Sequence, residues 1–523
     1  MNFLATWVTN GMSGGLKTKI KTTIIWAYGF EQTGYLVRSL ISLPCDYPLT
    51  VHNKRKRTRI IINFISLFAL YSKIENFKVF TKIINITKKK FVRNIAIVAS
   101  GTVGAQVVTI VFSPIITRLY GPEAFGLLGS FLALVGILSP IAALAYPIAI
   151  VLPKNDGDAK GIARLSFYIS LAIALLVALV LIVGGDRLLA LLSVQSISVV
   201  VLLMPLNLLF MAWTQIPTQW LIRKKQYSIS AKIEVLQALI LNSAKSGMGI
   251  FIPLAPVLIV LTTIGNASKM VHYFLGAKRA GGITKKEQQI HSQTTIIELA
   301  KRYNDFPFYR SPQLCINAMS TSLPVLMLTS FFGPTAAGFY VLGRRVLVMP
   351  VNLIGNAFYD VLYPRLNEGL HNNENLTQMI IKATLALAGI GILPFSIVVV
   401  FGPWLFSFVF GKEWIMAGEY ARWLAPFLFF QFINRPSVAA IPVLGIQKGL
   451  MIYELFSTGI KLLALYIGFG IFANDTISVA LFSIFGAIAY ILLIVWVLMS
   501  SKKVVCEKIK RSSKKSRQVT LSI

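Results

Sequence analysis

From Phe91 onward the chain alternates long apolar runs with short polar and basic connections. Apolar runs of about 18 residues or more cross the roughly 30 Å hydrocarbon core of a bilayer as helices. Backbone groups in lipid must pair internally, which leaves helices or a closed barrel, and runs this long are not barrel strands. The pattern predicts spans at 92–117, 124–152, 164–185, 196–221, 229–250 and 254–275. After a polar, basic segment at 276–304, six more are predicted at 306–332, 335–362, 377–401, 417–444, 449–472 and 476–500. The segment 229–250 carries Glu234, Asn242 and Lys245 and is the one that hydropathy alone would lose. The expected fold class is therefore all-α: a polytopic membrane protein of about twelve transmembrane helices.

Two stretches of the chain match each other. Gly121-Pro122-Glu123-Ala124-Phe125-Gly126 opens the second span, and Gly333-Pro334-Thr335-Ala336-Ala337-Gly338 opens the eighth. Each is followed by an apolar helix with internal proline (Pro140 and Pro147; Pro350) and a proline at its far end (Pro153; Pro364). Leu203-Met204-Pro205 likewise matches Leu424-Ala425-Pro426, and Glu234 matches Glu454. Six spans repeated once in the same orientation predict two six-helix lobes related by an internal parallel repeat, with substrate between them. The expected domains are an N-terminal lobe at 91–275, a cytoplasmic linker at 276–304, a C-terminal lobe at 305–500 and a basic cytoplasmic tail at 501–523.

Charge sets the expected orientation. The chain has a net charge of +32, with 55% hydrophobic and only 13% charged residues. Loops after even-numbered spans hold Lys154, Lys160, Arg223, Lys224, Lys225, the 276–304 segment, Arg365 and Lys448. The opposite loops offer little beyond Arg118, Arg187 and Lys412. The positive-inside rule places both termini in the cytoplasm and accounts for the basic balance without nucleic acid. Trp404 and Trp414 are then expected in the outer interfacial belt. Residues 1–90 are basic and irregular, with Lys54-Arg55-Lys56-Arg57 and Lys88-Lys89-Lys90, no spanning run and no cleavable signal pattern. They read either as a cytoplasmic or interfacial extension, with 60–85 as its amphipathic part, or as the product of an over-long reading frame.

Candidate chemistry is concentrated in one helix. At about 1.5 Å per residue, Arg344 lies roughly 15 Å below the turn at Gly333, near the bilayer midplane. A charge there costs at least about 2.5–3.5 kcal/mol unless it faces protein or water. Arg344 and Arg345 are about 100° apart on the helix, so one of them is expected to face a cavity squarely. Arg435, between Asn434 and Pro436 in the tenth span, is expected either to line the cavity or to cap a broken helix. Lys245 either lines the cavity or snorkels outward. Glu234 and Glu454 read as ion-pair partners of the basic loops Arg223 to Lys225 and Lys448, or as protonatable coupling sites. Cys45, Cys315 and Cys506 are isolated, and His52, His272, His291 and His371 lack metal-ligand spacing. No phosphate-binding loop is present, and no metal or cofactor is expected.

The segment Pro114-Ile115-Ile116-Thr117-Arg118-Leu119-Tyr120-Gly121-Pro122-Glu123-Ala124-Phe125-Gly126 resembles the signature of polysaccharide biosynthesis membrane proteins, the Wzx-like flippases. Pro394 and the stretch from Phe401-Gly402 to Phe410-Gly411-Lys412-Glu413-Trp414 resemble the second half of that family, so the resemblance spans 91–500. It implies membership of the multidrug/oligosaccharidyl-lipid/polysaccharide exporter superfamily, an inner-membrane location and alternating access. It implies a substrate of oligosaccharide on undecaprenyl pyrophosphate, used for O-antigen, capsule or exopolysaccharide. Membrane lipids, a polysaccharide polymerase and a chain-length regulator are the implied partners. The alternative is a small-molecule antiporter of the same superfamily, which would show mid-span carboxylates in its first lobe. A membrane polymerase or ligase would need a large outer loop, and every outer loop here is short. No enzymatic activity is expected.

Overall fold

The computed structural model describes residues 90–191, 198–281, 295–372 and 374–520. The N-terminal extension, Cys45, His52, His291 and the middle of the basic linker lie outside the described residues. The first half contains α1 (Lys90–Ala142), α2 (Tyr146–Ala149), α3 (Asp156–Leu191), α4 (Ser198–Val201), α5 (Met204–Arg223), α6 (Tyr227–Phe251) and α7 (Ala255–Arg279). A short α8 (Ile296–Arg302) leads through a π-turn to α9 (Ser311–Phe332), α10 (Pro334–His371) and α11 (Leu376–Phe410). The chain continues with α12 (Ile415–Ile433), α13 (Arg435–Leu444), α14 (Gln447–Phe472) and α15 (Asp475–Thr520). No strand is present among the described residues.

Eight of these helical stretches are long and apolar enough to cross a membrane, and the chain is a multi-pass membrane protein. One of the eight, Ser100–Ala142, covers the first two expected spans, with a break at Gly121. The helices α5, α6 and α7 run 20, 25 and 25 residues but are too polar to join the eight. α6 is the segment whose Glu234, Asn242 and Lys245 dilute its hydropathy.

The two Gly-Pro turns share one geometry. Gly121 has φ 64°, ψ 169° and Gly333 has φ 85°, ψ 172°, conformations open to glycine and costly for other residues. The proline that follows starts a helix without needing an N–H partner. The turns pack on each other: a Cβ on Gly126 would collide with the Pro334 carbonyl, and one on Gly338 with the Pro122 carbonyl. Both glycines are therefore required for backbone-to-backbone approach. Ser130 and Thr329 share a buried hydrogen bond of 2.6 Å just beneath.

Trp414 corrects an expectation. It is 1% exposed, donates from Nε1 to the Thr117 carbonyl at 3.1 Å and meets Phe125 and Phe339 edge-on. The turn at Gly411 (φ 115°) directs it inward, so it ties the two halves together at the Gly-Pro end. Trp404 does stay outside, 64% exposed. Arg118 strengthens the same end by donating to the Phe408 and Val409 carbonyls at 3.0 and 3.2 Å.

At the opposite end the expected span 124–152 breaks, because Leu144 and Ala145 adopt φ 48° and 58° before Pro147. Pro350, Pro364 and Pro394, by contrast, lie inside continuous helices. The described part of the linker is not merely polar. α8 is capped by a reciprocal Thr295–Glu298 box, and its Leu299, 1% exposed, fills the space left by Gly161 on α3. Near the end of α10, Arg365 donates to both carboxylate oxygens of Glu374 in the following loop at 3.1 and 2.6 Å and holds that carboxyl below its usual range.

Candidate substrate cavity

The middle of α10 stands between three cavities. Arg345 lines a cavity of about 400 Å³ in the first half, together with Gln106, Glu234, Asn242, Lys245 and Lys269. Arg344 lines a cavity of about 300 Å³ in the second half, with Arg435, Tyr453, Glu454 and Lys461. Both arginines line a central cavity of about 400 Å³ between Gln106, Thr321, Tyr340 and Asn352. The 100° separation thus gives each arginine its own side as well as a share of the centre, where sequence reasoning expected only one to face a cavity squarely.

Neither arginine has a hydrogen bond or ion pair among the described residues. Arg345 is exposed to the space it lines, and Arg344 is half-buried. Lys245 also lacks a side-chain partner and lies close enough to Arg345 for their charges to repel. Its helix is anchored nearby, where Tyr120 donates to the Lys245 carbonyl at 3.0 Å. Lys245 therefore points into the first-half cavity and does not snorkel outward.

Glu234 is held differently from what its neighbouring loop suggested. It pairs with Lys269 at 2.8 Å and accepts from the Tyr273 hydroxyl at 2.9 Å. The loop cations Arg223 and Lys224 turn to Asp156 instead, at 2.9 and 2.5 Å. Glu234 is two turns into α6, beyond their reach, while Lys269 on the adjacent α7 faces it. Lys269 and Lys461 were not singled out from sequence. A lysine inside each apolar segment was the available signal, and Lys461 follows Glu454 by seven residues, which puts both on one helix face.

In the second half Asn434 ends α12 and Arg435 begins α13, so the chain does break there. Arg435 nevertheless lines the cavity and donates to Asn352 Oδ1 on α10 at 3.1 Å. Its side chain passes over Gly355, where a Cβ would lie 2.9 Å from Nε. Gly355 thus makes room for the guanidinium, and the helix continues through it. Glu454 has no hydrogen bond or ion pair among the described residues; the Lys448 side chain lies outside them. Lys461 is 8% exposed, lies 5.8 Å from the Phe427 ring and is within electrostatic reach of Glu454 and Arg344, with no hydrogen bond or ion pair among the described residues.

Net positive charge within cavities of a membrane protein is expensive unless an anion completes it. Residues 115–419, more than half of the chain, match the family described as polysaccharide biosynthesis protein. The chain belongs to that family. This polysaccharide biosynthesis protein is 23% identical over 361 residues to the succinoglycan biosynthesis transport protein ExoT of Rhizobium meliloti strain 1021, covering 68% of each chain. Its fold is similar to that of an inward-facing multidrug resistance MATE family transporter of the MOP superfamily, with TM-score 0.60 and 13% identity over 77% of this chain and 98% of the other. It is equally similar to the lipid II flippase MurJ in an inward closed conformation, with TM-score 0.60 and 12% identity over 78% and 90%. These relatives are transporters and flippases rather than enzymes.

Proposed function

We propose that this protein moves oligosaccharide repeat units linked to undecaprenyl pyrophosphate across the inner membrane. The single observation that carries the reading is the pair Arg344 and Arg345, side by side between three cavities with no acidic partner among the described residues. A lipid pyrophosphate brings the anion that these groups lack, and guanidinium offers planar, multidentate donors to phosphate oxygens. The repeat unit serves O-antigen, capsule or exopolysaccharide synthesis, handed on to a polymerase and its chain-length regulator. Both termini are cytoplasmic, which puts the Gly-Pro turns on the periplasmic side. The two six-helix lobes then alternate access, and the closed Gly-Pro end gives a cavity entered from the cytoplasm. Glu234 and Glu454 serve as coupling or charge-balancing groups, and Arg435 and Lys245 are further substrate-binding residues of the cavities.

A cationic-drug antiporter would call for unpaired first-half carboxylates. Glu234 is instead paired with Lys269. The test is export of surface polysaccharide by a flippase-deficient strain carrying variants, normalised to membrane protein level. Arg344→Ala or Arg345→Ala should lower export at least about tenfold, with the lysine variants intermediate because charge survives without the planar fork. Full export by both alanine variants would reduce the arginines to packing residues and overturn the reading.

A further inference from the structure

The two outer cavities are chemically unlike. The first-half cavity is walled by amides, hydroxyls, aliphatic side chains and charged groups, with Phe125 its one aromatic side chain among the described residues. The second-half cavity has the rings of Tyr340, Phe427, Tyr453, Phe482 and Tyr490 in its wall. Amphipathic aromatic rings beside hydrogen-bonding groups suit a sugar, which presents C–H faces and hydroxyl edges. Asn434 lines the same cavity, is 1% exposed, and its Oδ1 has no hydrogen-bond partner. Such an oxygen costs free energy until a donor, such as a sugar hydroxyl, reaches it.

Charge narrows the class. Arg344, Arg435 and Lys461 face Glu454 as the only carboxylate in the wall. Lys461 is more than nine-tenths buried, and among the described residues it has neither a hydrogen bond nor an ion pair. A buried ammonium that no group hydrogen-bonds, with Glu454 its one carboxylate neighbour in the wall and Arg344 opposing it, is under-satisfied. An acidic group delivered by the ligand would satisfy it. The pyrophosphate is served by Arg345 and Lys245 in the first half and by both arginines at the centre, so the charge deeper in the second half is left for another anion.

We infer that the second-half cavity is a subsite for an acidic sugar of the transported glycan, a uronic acid or a carboxyl-substituted hexose. Its carboxylate pairs with Lys461 and Arg435, its hydroxyls meet Asn434 and Glu454, and Tyr453 supplies a ring face. The inference rests on the flippase reading above, and the two fail separately in the following experiment.

The purified full chain in lipid nanodiscs is titrated with digalacturonate, neutral galactobiose and inorganic pyrophosphate, and binding is read by calorimetry. Digalacturonate should bind at least about tenfold more tightly than galactobiose. Lys461→Gln and Tyr453→Ala should each weaken digalacturonate about tenfold and leave pyrophosphate unchanged, which also shows that the variants are folded. Arg345→Ala should weaken pyrophosphate and spare digalacturonate. If Lys461→Gln and Tyr453→Ala bind digalacturonate like the parent while Arg345→Ala loses pyrophosphate, the sugar subsite is wrong and the head-group reading stands. If Lys461→Gln weakens both ligands equally, there is one undivided anion site and the subsite is again wrong. If Arg345→Ala also leaves pyrophosphate untouched, both inferences fall.

Discussion

Glu234 and Glu454 match in sequence but not in electrical surroundings. Glu234 shares its charge with Lys269 at 2.8 Å and with the Tyr273 hydroxyl, at about one-third exposure. Removing one partner of such a pair leaves the other charged and poorly solvated. A fully buried pair would lose about 3–5 kcal/mol on this change, and the partial exposure here reduces that to about 1–2 kcal/mol. Glu234→Gln should therefore lower the thermal midpoint of the purified protein, and adding Lys269→Gln should recover most of the loss. Glu454→Gln should leave the midpoint nearly unchanged, since Glu454 has no bonded partner among the described residues. Equal destabilisation by the two glutamine variants would contradict this difference. Arg344, Arg345, Arg435, Lys245 and both glutamates were legible in the sequence as charges inside apolar segments. Lys269 was not paired with Glu234 there, because which faces of separate helices converge is a tertiary fact that no spacing within one helix reports.

At the scale of elements, the Gly-Pro turns do more than begin helices. Gly126 and Gly338 let α1 and α10 touch backbone to backbone, each against the carbonyl of the proline in the other Gly-Pro turn. That reciprocity joins the two halves at the Gly-Pro end, where Trp414 and Arg118 add bonds to backbone carbonyls. A methyl group at either glycine must push the helices apart. Gly126→Ala or Gly338→Ala should raise labelling of Thr329→Cys by a membrane-impermeant thiol reagent added outside intact cells, by several fold, and lower export in parallel. Labelling no higher than in the Gly126, Gly338 parent would show that the contact does not gate. The repeated motif was visible in sequence, and so was its role as a turn. The contact between its two copies was not, because a motif match says nothing about whether the copies meet.

For the whole molecule, the apolar pattern anticipated α6 as a helix over 229–250, and Tyr227–Phe251 is helical. Hydropathy ranks α5, α6 and α7 below the eight clear spans, and in α6 and α7 the cavity-lining Glu234, Asn242, Lys245, Asn266 and Lys269 are among the residues that dilute it. The same physics misled the reading of Trp414. A tryptophan near a turn is usually interfacial, but the Gly411 conformation turns this one into the core. Cavity-facing charge and a closed Gly-Pro end together make the central claim, that α10 carries a lipid-linked anionic head group through the membrane. Its most direct test is translocation by the purified chain in proteoliposomes that hold undecaprenyl-pyrophosphate-linked oligosaccharide, read as the fraction of glycan that becomes accessible to a soluble glycosidase added outside. The parent protein should speed this exposure well above protein-free vesicles, and the Arg344→Ala, Arg345→Ala double variant should return it to the protein-free rate. A double variant that translocates like the parent, or a parent no faster than bare lipid, would contradict the account.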